Sequence, residues 1–293
     1  MGKIVCLSPL AFYDNINKQN HRKSYAYNHI SPLIMNLGII DSFQFCIGKY
    51  DKNIEISNVY LVNYKTNKQI DIKSKLEENG LTLYNNNNYA LIEYPGFLNI
   101  TIAEEEGFYY LKIILSNKST YFSEIFCFTS SADRCLEIKY NNPSSRFYIK
   151  NGIVDLRQIS FVIRLQTELG KPEYSFEEEA TKRLGYSFIE SQVSKKVYKF
   201  NAILPEYQCD ALRLVRLCSN KELSTFDSEY EPITFEMDVD WQEQGDLASV
   251  NCQFDVDNII YNRGDINFVK DGDFNNDFNN DFSNDSNGGF KKD

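Results

Sequence analysis

Apolar and polar residues alternate over much of this 293-residue chain, the period-2 pattern of half-buried β-strands. Ser42-Phe43-Gln44-Phe45-Cys46-Ile47 is one such run. Val59-Tyr60-Leu61-Val62-Asn63-Tyr64 is another, followed by a Thr66-Asn67-Lys68 turn and a return over Gln69-Ile70-Asp71-Ile72. Four consecutive asparagines, 85–88, predict a loop. Residues 97–102 alternate again, and Glu104-Glu105-Glu106-Gly107 turns into a second strand at 108–115. Ser116-Asn117-Lys118-Ser119 then turns into a third strand at 121–128. Short strands with turns every 8–12 residues or so predict a meander, and roughly 100 residues of it predict a sandwich over 31–130. The last two strands are apolar on both faces, so they are buried on both sides or meet a partner.

Residues 131–268 repeat the pattern. Strands are predicted at 136–140, 161–165, 196–200, 233–239 and 248–256, with the charged stretch 175–190 ambiguous. One segment has a different period: Tyr207, Ala211, Leu214, Val215 and Cys218 recur at helical spacing. Pro205 suits the first helical position, Glu206 the N-terminal dipole, and Asn220 the end, which places a helix near 205–219. The expected fold is mainly β: tandem Ig/fibronectin-like β-sandwich domains, one amphipathic helix in the second, and extended terminal arms. The N-terminal arm, 1–30, is polar, rich in Tyr and Asn, and poorly periodic, so it is expected to lie on its own domain or on a neighbouring subunit. The tail, 269–293, repeats Asp-Phe-Asn-Asn and carries six Asp and two Lys over 271–293. With almost no aliphatic residues it cannot repay its own ordering entropy.

Composition narrows the class. The chain has 31 Lys+Arg against 41 Asp+Glu, a net charge of −10, which argues against a nucleic-acid partner. No apolar run reaches the ~18 residues of a membrane span, and the first residues lack the apolar stretch of a secretory signal. The seven cysteines include no C-x-x-C, so reduced, mostly buried thiols are expected. The excesses are 21 Phe, 20 Tyr and 31 Asn. Tyr and Phe favour strands and Asn favours turns.

The motifs for chemistry are sparse. Asp271-x-Asp273-x-Asn275-x-Asp277 begins like a calcium loop but has Asn276 where Gly is needed and Phe282 where Glu is needed. Asp238-x-Asp240 and Asp255-x-Asp257 each put two carboxylates on one side of a strand, which reads as a solvated edge. His21 and His29 are the only histidines, and no nucleophile elbow, H-E-x-x-H or glycine-rich phosphate loop accompanies them. The expectation is a non-enzymatic protein with no cofactor and no metal. Asn99-Ile-Thr101 and Asn117-Lys-Ser119 match the glycosylation pattern incidentally.

Three stretches carry a resemblance: Gly107-Phe108-Tyr109-Tyr110-Leu111-Lys112-Ile113 with Tyr121-Phe122-Ser123-Glu124-Ile125-Phe126-Cys127; Phe200-Asn201-Ala202-Ile203-Leu204-Pro205-Glu206-Tyr207; and Asp240-Trp241-Gln242-Glu243 with Ala248-Ser249-Val250-Asn251-Cys252-Gln253-Phe254. Over about 95–260 the chain is similar to virion proteins of tailed phages that infect Bacteroidetes, the crAss-like phages among them. That resemblance implies a structural role in the virion, as a tail or neck ring subunit or a fibre adaptor. The expected partners are copies of the chain itself and other tail or neck proteins, with no membrane. Large interfaces are enriched in aromatic residues. The interface candidates are therefore Phe12, Tyr13, Tyr25 and Tyr27 in the arm, Trp241, and Phe274, Phe278 and Phe282, which fall four apart and would share one face of a helix formed on binding. The alternative is a fibre or adaptor module that holds a host-surface glycan on loop aromatics such as Trp241.

Overall fold

The computed structural model describes residues 4–23, 32–48, 54–85, 89–96, 105–143, 146–149, 152–155, 159–167, 169–183, 186–225, 229–241, 247–256 and 260–263. The chain divides into two compact units: residues 1–175 with 195–259, and residues 176–194 with 260–293. The expected boundary at 130/131 falls inside the first unit. The fold is mainly β, and no helix of the described residues is long and apolar enough to cross a membrane.

The first part of the first unit runs through β1 (Ile4–Cys6), β2 (Phe12–Tyr13), α1 (Asn20–Lys23), β3 (Leu33–Asn36), β4 (Phe43–Gly48), β5 (Ile56–Asn63) and β6 (Gln69–Asp71). It continues with α2 (Lys73–Glu78), β7 (Thr82–Asn85), β8 (Tyr89–Tyr94), β9 (Gly107–Leu115), β10 (Thr120–Ser123) and β11 (Phe126–Thr129). One sheet has the order β1-β4-β8-β7. A second has the order β2-β10-β9-β11-β3, with β5 also on β9 and β6 on β5. Rings join the two sheets face to face: Phe12 stacks on Phe45 at 4.1 Å between centroids, and Phe45 meets Tyr121 at 5.8 Å. The segment expected at 97–102 lies outside the described residues.

The strand expected over 121–128 is two strands. Phe122 pairs with Lys112, but Phe126 pairs with Tyr109, so residues 123–125 oppose only 110–111 on β9. This is a β-bulge, which re-aims the strand. Ser123 repairs the ladder by accepting the Leu111 N–H on its hydroxyl at 2.8 Å. Before the bulge the strand's far side pairs with β2; after it, β11 takes β3 as a parallel neighbour.

The rest of the chain adds β12 (Leu136–Asn141), β13 (Arg146–Ile149), β14 (Gly152–Asp155), β15 (Phe161–Leu165), β16 (Glu173–Arg183), β17 (Tyr186–Pro205) and α3 (Glu206–Leu217). It ends with β18 (Asn220–Ser224), β19 (Glu231–Trp241), β20 (Leu247–Val256) and β21 (Ile260–Arg263). The third sheet has the order β15-β12-β18-β19-β20-β17-β16. Across β17, β20 and β19 the registered rows are Phe200–Cys252–Met237, Ala202–Val250–Val239 and Leu204–Ala248–Trp241 on one face. The other face carries Lys199–Gln253–Glu236, Asn201–Asn251–Asp238 and Ile203–Ser249–Asp240. α3 packs on β19 and β20, burying Cys209, Ala211, Leu212, Leu214 and Val215. Pro205 stands just before the helix, with extended ψ of 162°, and not as its first residue.

Most buried apolar side chains of the first unit, from Leu7 to Phe254, form one contiguous cluster, so its two β regions share a core instead of each having its own; two small satellites gather around Ile34 and Val62. The join is at β3, which packs against β15. There Arg164, 3% exposed, sits between Asp41 and Glu137 with N–O separations of 2.5 Å to each. Ser42 donates to the Ser160 carbonyl at 2.5 Å alongside. Gly96, at φ +72°, closes over this corner: a Cβ there would lie 2.7 Å from the Ser42 nitrogen. Burial raises the Asp41 carboxyl above its ordinary range, opposed by the Arg164 charge.

In the second unit, β17 pairs antiparallel with β21 from Ser191 opposite Arg263 to Ser194 opposite Ile260, and with β16 on its other side. Ser191 donates to Glu179 at 3.0 Å and Gln192 to Glu178 at 2.6 Å across the β16–β17 pair. Residues 176–180 are exposed at every position, so this strand shows no apolar alternation and reads as merely charged in sequence.

Removing one partner of a buried ion pair strands the other charge. Arg164→Met is expected to lower stability by about 3–5 kcal/mol. Adding Asp41→Leu and Glu137→Met is expected to recover most of that loss, read from urea-unfolding midpoints.

Candidate interaction surface

The N-terminal segment is the first place where candidate residues meet structure. Glu124, in the bulge, is 1% exposed, yet its carboxylate is fully engaged. Oε2 accepts from the Tyr13 hydroxyl at 3.0 Å and from the Asn20 N–H at 2.7 Å, and Oε1 accepts from the Ile125 N–H at 3.1 Å. Gln19, fully buried, donates to the Ser123 carbonyl at 2.5 Å and accepts from Arg22 Nε at 2.5 Å. The Arg22 guanidinium lies over Tyr64 at 4.8 Å and Tyr110 at 5.5 Å, a cation–π contact. Residues 11–23 are thus latched to their own subunit by a buried carboxylate that needs donors and finds them in the preceding chain.

This corrects the reading of Phe12 as an interface residue. It is 3% exposed and fills the core between the two sheets, because β2 pairs with β10 and turns the ring inward onto Phe43 and Phe45. Tyr13 is half-buried with its hydroxyl spent on Glu124, and burial and the Glu124 charge raise its pKa far above the ordinary tyrosine range. Tyr25, Tyr27, His29, Phe274, Phe278 and Phe282 lie outside the described residues, as does Asp257. A glutamate inside the apolar run Tyr121–Phe128 was the available signal for the Glu124 latch.

Trp241 is 47% exposed at the end of β19, the last ring of an otherwise covered apolar row. Asp238 and Asp240 stand with Glu236 on the opposite, exposed face of β19. Among the described residues no group of three or more His, Cys, Asp or Glu is placed to hold a metal ion.

The seven cysteines are free. Burial pushes the thiols of Cys46, Cys209 and Cys218 up to about 11, and those of Cys6 and Cys252 up to about 12. The thiolate is the nucleophile, so these groups are inert near neutrality.

The most exposed large apolar side chain among the described residues stands on the three-stranded ribbon of the second unit. Among its described residues no side chain is buried, and Phe176 is 67% exposed. On the adjoining part of β16, Tyr174 is 63% exposed. Sequence periodicity missed this surface because period-2 patterning reports a strand only when one of its faces is covered.

No protein-family model, curated protein or solved structure matches the chain.

At pH 8, Cys6, Cys46, Cys209, Cys218 and Cys252 are expected to react with an alkylating reagent at least about 100-fold more slowly in the folded protein than in urea, from thiolate fraction alone. Mass-spectrometric labelling kinetics check this site by site.

Proposed function

We propose that this chain is a non-enzymatic structural subunit of a phage particle, a homo-oligomeric component of the tail or neck. The observation that carries the reading is the ribbon that β16 and β21 form with the first half of β17: none of its described side chains, at 176–181 and 191–194, is buried, and Phe176 stands 67% exposed. A sheet of a few strands becomes stable when a hydrophobic face is covered. In an assembly subunit that cover comes from a neighbour. The exposed Phe176 and Tyr174 are the residue types that interfaces concentrate.

The resemblance over residues 95–260 supplies the setting: a virion, with other tail or neck proteins as partners. In this reading the two packed sheets of residues 4–129 are an Ig-like sandwich and the α3-covered sheet is the second β layer of the subunit. A ring requires a heterologous contact that closes by rotation, so a patch on one copy must fit a different patch on the next.

Electron microscopy of the purified full-length protein is expected to show closed particles of uniform symmetry, and mass spectrometry of purified phage is expected to find the chain. A protein that stays monomeric at high micromolar concentration and is absent from particles overturns the reading.

Trp241 favours a second reading, a fibre or adaptor module that holds a surface glycan. A half-exposed indole at a strand end is a platform for sugar stacking. On a glycan array, this reading expects saccharide binding that falls at least about tenfold in Trp241→Ala. Wild type and variant alike are blank if the chain is scaffold only.

A further inference from the structure

β16 is the last strand of its sheet and, among the described residues, pairs with β17 only. An edge strand offers a row of backbone donors and acceptors to any extended chain, and proteins blunt such edges with charge or fill them with a partner. Glu177, Glu178, Glu179 and Ala180 are exposed. The sequence of the strand, Phe176-Glu177-Glu178-Glu179-Ala180-Thr181-Lys182-Arg183, is acidic before Ala180 and basic after it.

We infer that the edge of β16 without a neighbour among the described residues pairs antiparallel with β16 of a second copy, about a two-fold axis at Ala180. That register sets Glu177 opposite Arg183, Glu178 opposite Lys182, and Glu179 opposite Thr181 of the second copy, each made twice by the symmetry. Opposite charges directly across an antiparallel pair are stabilising and like charges destabilising. Other registers are worse. An axis at Glu178 sets glutamate against glutamate, and a parallel in-register pair opposes every charge to its own copy. The same charges that make the edge unattractive to unrelated strands therefore select this one partner and this one register.

The contact is isologous, the same patch on both copies. It joins subunits in pairs, beyond the heterologous contact that a ring needs. It rests on the assembly reading in naming the neighbour that covers the ribbon.

The test uses the full-length chain. In the paired register, Ala180 of the two copies are directly opposed, with Cα atoms about 4.5–5.5 Å apart, inside disulfide range. Ala180→Cys is expected to form a disulfide-linked dimer under mild oxidation. Phe176→Cys, also exposed, is expected not to cross-link, its two copies lying about 26 Å apart along the strands. Glu177→Arg with Glu178→Lys makes an edge basic at every charged position but Glu179, and Lys182→Glu with Arg183→Glu makes an all-acidic one. Each pair of changes is expected to raise the dimer dissociation constant at least about tenfold in sedimentation. A one-to-one mixture of the two variants, and the chain carrying all four changes, are expected to regain the dimer. Circular dichroism and urea midpoints are expected to match wild type, so dissociation is read apart from unfolding.

Ala180→Cys that cross-links no faster than wild type, or charge variants that dimerise like wild type and form no mixed dimer, overturn the strand pairing. If those variants still build the larger particle, the assembly reading stands without it. If wild type is monomeric and absent from phage particles and the Ala180→Cys chain stays uncross-linked, both fall.

Discussion

A carboxylate inside an apolar strand must be given donors, and much of the first unit follows from how Glu124 obtains them. The strand opens at 123–125, and the Tyr13 hydroxyl and the Asn20 and Ile125 N–H groups close on the side chain. The opening is what lets one continuous stretch of sequence serve two neighbours. Before it, β10 holds β2 and turns Phe12 into the core; after it, β11 holds β3 in parallel. β3 then carries the shared core across to β15. Arg164 there needs counter-charges as Glu124 needs donors, and finds Asp41 and Glu137. Two buried charges, each costly if left unmatched, specify where the arm and the second β region attach.

The first unit and the ribbon contrast in how their strands are satisfied. The sheet of β17, β20 and β19 has an apolar face covered by α3 and a polar face in water. In the ribbon, residues 176–180 are exposed on both faces and 191–194 are half-buried, with an aromatic on one strand and hydrogen-bonded glutamates beside it. The same backbone geometry therefore serves burial in one unit and presentation in the other. Free edges are hazardous unless their charges discriminate among partners, and the sign change about Ala180 provides such discrimination.

Legibility from sequence tracked coverage. Where one face is covered and the other wet, as in β12, β19 and β20, alternation identified the strands, and helical spacing identified α3 to within a residue or two of its ends. Where both faces are wet, as in β16, alternation had nothing to report. Where a strand changes partner, as at Glu124, periodicity reads straight through the bulge. The candidate aromatics divided in the same way. Composition marked Phe12 and Trp241 alike as surplus rings, yet pairing sends Phe12 to 3% exposure and leaves Trp241 at 47%.

The sequence by itself determined the β class, the position of the helix, the acidic balance and the unreactive setting of most thiols, because these depend on local period and on residue type. Only the tertiary structure decided that the arm latches to its own subunit, that the two β regions of the first unit share a core, and that β16 is an edge strand among the described residues. Those outcomes depend on which distant residues satisfy a buried charge or cover a face, and a pairing across more than 100 residues, such as Tyr13 with Glu124, leaves no periodic trace in the chain.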